Sequence, residues 1–293
     1  MFAKTFLDRV SFKFVNVKNG WGRITNLSDY YRWKVQLPDG NYVFAGKDLV
    51  PCAEECKEFP EVGFEFKKEG EISWPDLKGL GGVVARFAAK EPGRYAINGV
   101  FVSPSTVAAT DSRALAIIGD SANMEEGVIP PGNIAAYVLQ TFSKVELGDN
   151  GALRFASETE ELITLRIEGL YPRYPFVFKD LDLQPGRVFD VATCTKDAAK
   201  AKQAHKAGGV MPEGFGAVDK NIYTKPEKYM CDGEVKPAFL RVVIMPVKGE
   251  DDNEPLGFNV EYLKKLAVKG RQCSLCLAYE KHRPSILQLG GGA

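Results

Sequence analysis

The chain has 293 residues, enough for two ordinary domains or for two domains and a small module, each with its own core. Its 45% hydrophobic and 26% charged residues are typical of a water-soluble globular protein, and neither a membrane span nor a signal peptide is recognisable, so we expect a cytoplasmic protein. The 38 basic and 38 acidic residues exclude a uniformly basic nucleic-acid binder, but not a protein with one basic and one acidic face.

Residues 1–67 predict a small all-β module. Short strands are predicted at Gly20-Trp-Gly-Arg-Ile-Thr, at Arg32-Trp-Lys-Val-Gln-Leu and, after a Pro38-Asp-Gly turn, at Asn41-Tyr-Val-Phe-Ala. Glycine and proline punctuate these strands, and no helical periodicity is present. The spacing resembles that of SH3-like or Tudor-like barrels, so we expect a separate N-terminal barrel.

Residues 68–183 predict a unit that mixes helices and strands. Ser73-Trp-Pro-Asp begins like a helix, and apolar residues continue at helical spacing over 73–88. Two strands are predicted near 95–102 and 106–118. A second helix is predicted to begin at Pro130, followed by three antiparallel strands up to residue 167.

The same order of elements recurs over residues 184–293. A strand at 187–192 precedes an Ala/Lys-rich helix at 194–206, and a second helix at 258–266 precedes strands at 271–279 and 284–289. Corresponding helices lie about 120 residues apart, which indicates a structural repeat. The predicted fold class is therefore α+β, with two helices per unit on one face of antiparallel sheets.

The six cysteines include two close pairs, Cys52 with Cys56 and Cys273 with Cys276. Two such pairs could form a zinc site. However, 271–279 is predicted to be a strand, in which an offset of three residues places Cys273 and Cys276 on opposite faces. Reduced and buried thiols are the better interpretation, and we expect no metal.

No catalytic motif stands out. The two histidines, His205 and His282, form no metal-binding pattern, and neither a G-x-S-x-G elbow nor a Walker A loop is present. Asp111 is the acidic residue of most interest, but it has no obvious partner carboxylate. We expect neither an enzyme nor a bound cofactor.

Four separated motifs resemble one known family. Arg94-Tyr-Ala-Ile-Asn-Gly and Thr106–Ala116 are similar to the R-Y-x-L-N-G and A-T-D-G-H-R-L-A strands in the middle domain of bacterial β sliding clamps. Val128-Ile-Pro is similar to the start of that domain's second helix, and Gly169-Leu-Tyr-Pro-Arg-Tyr-Pro to its G-x-F-P-D-Y segment. Residues 72–180 thus resemble the DNA polymerase III beta subunit, a processivity factor. Residues 184–293 are matched less tightly, and residues 1–67 match no part of a clamp.

The resemblance implies a ring with helices on the inside that carry Lys and Arg toward the phosphates of duplex DNA, in contacts that do not depend on base sequence. Lysines on the 194–206 helix fall within an arc of about 160°, with no glutamate among them. A solvated helix face is the alternative interpretation. The candidate DNA-binding residues are Lys78, Arg86, Lys196, Lys200, Lys202, Lys206, Lys264, Lys265, Lys269 and Arg271.

The resemblance also implies a hydrophobic cleft that receives peptides from DNA polymerases and the clamp loader. The matching positions are Thr110, Ser112, Arg113, Leu115, Pro172, Phe176 and Val177, with Ile286, Leu287 and Leu289 from the final strand. The chain has Ser112-Arg-Ala where the family has Gly-His-Arg, so the cleft could be altered, take a different peptide, or be lost. These residues could equally be core.

Two functions follow as hypotheses. The first is a DNA polymerase processivity clamp with three parts, at 1–67, 68–183 and 184–293, which closes a homo-oligomeric ring. Two clamp-type domains per chain predict a trimer, and a dimer follows if the N-terminal region substitutes for a third domain. The second is an adaptor that keeps the clamp fold but binds proteins without encircling DNA.

Overall fold

The computed structural model describes most of the chain. The described ranges are 14–26, 29–52, 59, 66–91, 93, 96–119, 126–174, 177, 181–218, 221–233, 238–247, 257–269, 271–279 and 283–290. These residues form an α+β fold built from antiparallel sheets, as predicted. No helix among them is long and apolar enough to cross a membrane.

Five short strands come first in the chain. They are β1 (Val15–Lys18), β2 (Trp21–Thr25), β3 (Tyr30–Lys34), β4 (Gly40–Ala45) and β5 (Asp48–Pro51). Alternation in β1 and β2 buries Val15, Val17 and Ile24 on one face, while the intervening residues are polar and partly exposed. One side of this sheet therefore packs on the core and the other faces solvent.

The next unit contains two helices and seven strands in its described residues. Its elements are β6 (Lys68–Ser73), α1 (Gly81–Ala85), β7 (Phe101–Val102), β8 (Thr106–Thr110), β9 (Ala114–Gly119), α2 (Gly132–Thr141), β10 (Lys144–Gly148), β11 (Ala152–Ala156) and β12 (Glu160–Leu165). Short 3-10 turns lie at Ala96–Asn98 and Asp149–Gly151. The predicted strand at 95–102 is thus a 3-10 turn followed by a two-residue strand.

The last unit repeats the alternation of strand, helix, strands, helix and strands. Its elements are β13 (Arg187–Phe189), α3 (Val191–Lys206), β14 (Phe215–Val218), β15 (Asn221–Thr224), β16 (Met230–Cys231), β17 (Ala238–Ile244), β18 (Phe258–Asn259), α4 (Val260–Leu266), β19 (Cys273–Cys276) and β20 (Ser285–Gly290). A further 3-10 turn spans Pro226–Tyr229. Both predicted helices of this unit are confirmed to within a few residues.

The sheets run across the boundaries between units. One nine-stranded sheet has the order β5-β4-β1-β2-β3-β12-β11-β10-β6, and one eight-stranded sheet has the order β16-β13-β19-β20-β17-β9-β8-β7. The pair β3 and β12 joins the N-terminal strands to the second unit, and the pair β9 and β17 joins the second unit to the third. The expected separate N-terminal barrel is not seen: the five described strands form an open order that continues the neighbouring sheet.

Strand β17 takes a place that the chain order does not predict. In the second unit, three strands follow α2, and the last of them, β12, pairs with the preceding unit. In the third unit, the described strands after α4 are β19 and β20, and β17 lies beside β20 although it precedes α4 in the chain. Strand β17, rather than the final strand, therefore borders the second unit.

The first predicted helix begins later than its sequence pattern suggests. Ser73 is not a helix cap but the last residue of β6, paired with Lys144, and regular helix starts only at Gly81. The apolar residues of the pattern are nevertheless buried, because the chain between them packs against the core. A Cβ atom on Gly81 would lie 2.7 Å from the Cβ of Leu139, so glycine allows α1 and α2 to approach closely.

Polar contacts fasten the N-terminal strands to the second unit. On the helix side of the sheet, Tyr31 donates a 2.7 Å hydrogen bond to Glu160, which also accepts from Tyr137 of α2. On the other side, Glu161 is 5% exposed and lies between the guanidinium groups of Arg32 and Arg154. Burial raises the pKa of Tyr137 to about 12, with the hydrogen bond to Glu160 as the second cause.

We expect Asp190→Ala to lower the free energy of unfolding by about 1 kcal/mol at pH 7, because Asp190 caps α3. Its carboxylate accepts 2.9 and 2.6 Å hydrogen bonds from the amide and hydroxyl of Thr193, and these bonds lower its pKa. This stabilisation is complete above the unfolded pKa of about 3.9 and is lost as the pH falls through the lower folded value. Urea titrations at pH 7 and pH 3 test this, with Asp190→Asn as the uncharged cap. An equal loss at both pH values would contradict it.

Candidate nucleic-acid interface and peptide cleft

The four described helices lie side by side in the order α2-α1-α4-α3. Helix α1 contacts α2, and α3 contacts α4. The two pairs meet where Arg86, just after α1, donates a 3.1 Å hydrogen bond to the carbonyl of Lys265 in α4. Phe87 stacks on Tyr262 there, with ring centroids 6.4 Å apart and planes 12° from parallel. One row of helices therefore spans the second and third units.

The ten predicted DNA-binding residues all lie on or beside three of these helices. Seven of them are exposed, whereas Lys264, Lys265 and Arg271 are partly buried. The exposed residues are Lys78, Arg86, Lys196, Lys200, Lys202, Lys206 and Lys269.

Acidic partners neutralise part of this basic surface. Lys200 lies 3.0 Å from Asp197, and Glu261 lies 2.9 Å from Lys264 and 3.4 Å from Lys202. The hydrogen bond from Lys200 lowers the pKa of Asp197, and that from Lys264 lowers the pKa of Glu261. This helix face has no glutamate among its lysines, but Asp197 lies three residues before Lys200, the spacing of an ion pair on a helix.

Lys265 and Arg271 hold the junction between the units together. The Lys265 ammonium lies 4.8 Å from the centroid of Phe87 and 4.7 Å from that of Tyr262, and 3.6 Å from a carboxylate oxygen of Asp111. Burial lowers its pKa. Arg271 donates to the carbonyl of Lys78 and, at 3.5 Å, to that of Gly290. Both predicted DNA contacts thus make intramolecular contacts that hold them at the junction.

Three lysines remain well placed to meet an external anion. Lys196 and Lys206 lie on α3, and Lys269 lies just beyond α4. All three are exposed, and within the described ranges none has an acidic side chain at ion-pair distance. These lysines form the strongest part of the candidate nucleic-acid interface.

Six of the predicted cleft residues come together around one cavity of about 260 Å³. They are Thr110, Ser112, Arg113, Leu115, Pro172 and Val177. The cavity is lined mainly by apolar side chains, as is usual for binding pockets. Phe176 lies outside the described residues.

No described residue of the final strand lines this cavity. Leu287 and Leu289 of β20 are fully buried in the main core, and Ile286 is 6% exposed in a second apolar cluster. Val243 and Met245, on β17 and just after it, line the cavity instead, because β17 lies between β20 and β9. Sequence analysis also missed Ile97, Arg173 and Tyr174 in the wall. All three lie in motifs that resemble the family, and this was the signal that could have indicated them, whereas Met245, a 45% exposed apolar residue at a strand end, is apparent only in the structure.

A tight turn between β8 and β9 forms one wall of the cleft. The Asp111 carboxylate accepts 3.0 Å hydrogen bonds from the amides of Arg113 and Ala114, and the Thr110 hydroxyl donates a 2.8 Å bond to the carbonyl of Ala114. Ser112 has φ of 75°, a left-handed conformation in which glycine is favoured. The similar family motif has glycine at this position.

We expect Ser112→Gly to raise the free energy of unfolding by up to about 1 kcal/mol, because it removes the Cβ atom from a left-handed residue. Ser112→Val should lower it by about 1–2 kcal/mol, since a β-branched residue tolerates this conformation least. Chemical denaturation of both variants measures the difference. A glycine variant less stable than wild type would show that the serine hydroxyl, rather than the backbone, holds the turn.

The described cysteines do not form a metal site. Cys273 and Cys276 pack in different apolar clusters, consistent with the predicted opposite faces of one strand, and Cys56 lies outside the described residues. Burial raises the pKa of the Cys194 and Cys273 thiols to about 12, which disfavours the thiolate form that binds zinc. Within the described ranges, no three His, Cys, Asp or Glu side chains are clustered as metal ligands.

Comparison with known proteins identifies the fold. No protein-family model and no curated protein matches the chain. Among solved structures, a DNA polymerase sliding clamp from Pseudomonas aeruginosa is 16% identical with a TM-score of 0.51, over 98% of this chain and 94% of that one. A DNA polymerase III beta chain from Streptococcus pneumoniae is 15% identical with a TM-score of 0.50, over 96% and 91%.

A third solved structure covers nearly the whole of both proteins. The Helicobacter pylori beta clamp bound to a DNA ligase peptide is 13% identical with a TM-score of 0.52, over 99% of this chain and 97% of that one. The N-terminal strands therefore fall within the matched region, and an added module outside the clamp is not confirmed. With its antiparallel sheets and paired helices, this chain has the sliding-clamp fold in a highly divergent sequence.

Proposed function

We propose that the protein encircles duplex DNA as a ring of identical chains and tethers a DNA polymerase or other replication and repair proteins through its cleft. The observation that carries this proposal is the row of four helices along one side of sheets that continue across both unit boundaries. A ring built in this way exposes its helices to the DNA and its sheets to the surroundings.

The chemistry of the helix row fits a sliding contact. Lys196, Lys206 and Lys269 offer long cationic side chains, which bind phosphates without reading bases. The cleft lies beside the β8–β9 turn, at the junction of the second and third units. Tethering at this place leaves the helix row to the DNA, and the proposal assigns no catalytic residue.

The N-terminal strands bear on the number of chains in the ring. We propose three units per chain, at 1–67, 68–183 and 184–293, because β3 continues the sheet of the second unit through β12. Six units close a ring in the family that the sequence resembles, so three per chain favour a dimer. A trimer is the alternative if residues 1–67 do not count as a clamp unit.

Solution mass and retention on circular DNA test the proposal together. Light scattering at micromolar concentration should give a mass of two or three chains. Protein assembled on a nicked circular plasmid, with a clamp loader if one is needed, should resist a high-salt wash and be released when the circle is cut. A strict monomer at all concentrations, or retention that does not depend on an intact circle, would contradict encirclement.

The competing function is an adaptor that binds protein partners without encircling DNA. The ion pairs that Asp197 and Glu261 make with Lys200, Lys202 and Lys264 favour it, because they reduce the charge available to phosphates. A monomer that binds peptides at the cleft but is not retained on circular DNA would support the adaptor.

A further inference from the structure

The cleft combines an apolar floor with a basic rim. Leu115, Val243 and Met245 contribute apolar surface from strands that join the second and third units. Arg113 and Arg173 approach the same cavity from two different segments, the β8–β9 turn and the chain after β12, and both residues are exposed. The lining contains no acidic residue within the described ranges.

Neither arginine has a carboxylate partner at ion-pair distance among the described residues. Arg113 also borders a neighbouring cavity with Asp111 and Glu91. The Asp111 carboxylate is already engaged by the backbone of its own turn and by Lys265, at 3.6 Å. Within the described ranges both guanidinium groups are therefore exposed and without an ion pair.

The sequence sets this rim apart from the family motifs that it resembles. Arg173 stands where the G-x-F-P-D-Y segment has aspartate, and Arg113 stands where the A-T-D-G-H-R-L-A strand has histidine. Arg113 is offset by Ala114, which stands where the same strand has arginine, so within these two motifs the gain in positive charge comes from Arg173 alone. An altered partner sequence is the natural counterpart of such a change.

We propose that the cleft selects peptides in which an apolar side chain is flanked by acidic residues, with a carboxylate held by Arg113 and Arg173. This inference rests on the proposed peptide-binding role of the cleft. The apolar side chain fills the cavity and supplies most of the affinity, whereas the carboxylates decide between competing peptides. Guanidinium groups suit this purpose because they bind carboxylates in a planar, two-pronged geometry.

The test uses fluorescent heptapeptides and the whole 293-residue chain. Each peptide has Leu, Ile, Met, Phe or Trp at three positions and Asp, Asn or Lys at the other four, and binding is followed by fluorescence anisotropy. For the best apolar pattern, the Asp form should bind about three- to tenfold more tightly than the Asn form, as expected for one or two exposed ion pairs. The Lys form should bind more weakly still, and added salt should reduce the preference for Asp.

Substitutions of Arg113 and Arg173 test whether these two residues cause the preference for acidic peptides. Arg113→Gln and Arg173→Gln should each reduce the preference for Asp, and the double variant Arg113→Glu with Arg173→Glu should reverse it in favour of Lys. Arg187→Gln is the matched control, since Arg187 is an exposed arginine that pairs with Asp232 on another part of the surface. Thermal melting of each variant confirms that the fold is kept.

The outcomes separate this inference from the function on which it rests. Asp and Asn peptides that bind equally well would overturn the acidic preference and leave the peptide cleft standing. Binding that survives Met245→Lys would place the peptide elsewhere, and no binding by any peptide would refute the cleft itself. Either result overturns the inference as well.

Discussion

Replacing Lys196, Lys206 and Lys269 together by glutamine is expected to weaken binding to duplex DNA by about 100- to 1,000-fold at about 0.1 M salt for each chain of the ring whose three lysines contact the DNA. Each phosphate contact that is lost removes about 0.9 from the slope of log affinity against log salt, so the slope falls by about 3 for each such chain. The weakening should be the same for unrelated DNA sequences. Anisotropy titrations over a range of salt concentrations measure both quantities.

The matched control removes three lysines from the opposite side of the protein. Lys34, Lys68 and Lys144 lie on strands of the nine-stranded sheet, on the face away from the helices, and Lys68 and Lys144 both pair with Glu71. Exposed pairs of this kind contribute little to stability, so the triple glutamine variant should fold normally. Equal loss of DNA affinity in both triple variants would indicate a general effect of net charge and would argue against a DNA-facing helix row.

A second pair of variants tests whether the ion-paired lysines contribute to DNA binding. Lys200→Gln with Lys264→Gln should weaken binding less than the loss of two unpaired lysines, because Asp197 and Glu261 already offset these charges. A loss of affinity in proportion to the number of lysines removed would contradict this expectation and would mean that the paired lysines exchange their carboxylate partners for phosphates.

The sequence was sufficient to predict elements whose signal is local. Helix α3 has a capping aspartate and a continuous run of helix-forming residues, and strands β10 to β12 alternate between clear turns, so their positions follow from neighbours in the chain. Helix α1 was mislocated because Ser73 satisfies a capping pattern, while its pairing with Lys144 depends on residues 71 positions away. The local sequence around Ser73 contains no information about this distant pairing partner.

The residues of the candidate site were likewise predictable only where their signal is local in the sequence. Thr110 to Leu115 form one continuous segment around the β8–β9 turn, and a short motif was enough to predict that they lie together. The opposite wall depends on which strand lies beside β9, and periodicity contains no information on pairing between strands more than 100 residues apart. Whether a lysine is free to bind DNA also depends on residues that are distant in the sequence. Lys265 looks like its neighbour Lys264 in sequence, yet Phe87 and Asp111 from another unit remove it from the solvent-facing set.

Phe87→Ala is expected to lower the free energy of unfolding by about 3–5 kcal/mol, the usual cost of deleting a buried aromatic ring. Phe87 is fully buried at the end of α1, where its ring stacks on Tyr262 and lies under the Lys265 ammonium. Both partners belong to α4, so the substitution leaves a cavity at the junction between the two helix pairs. Phe87→Leu keeps most of the apolar volume and should cost under about 1.5 kcal/mol.

The region of the protein that loses stability distinguishes a residue at the junction from an ordinary core residue. Phe142→Ala is the matched control, because that ring is also buried but packs against Phe155 and Tyr137 within the second unit. Hydrogen exchange should accelerate at Val260–Leu266 in Phe87→Ala and not in Phe142→Ala. A loss below about 1 kcal/mol with unchanged exchange in α4 would mean that the sheet pairing of β9 with β17, rather than the helix contact, joins the units. A clamp needs this junction to be rigid, since a ring closes only when each unit holds its neighbour at a fixed angle.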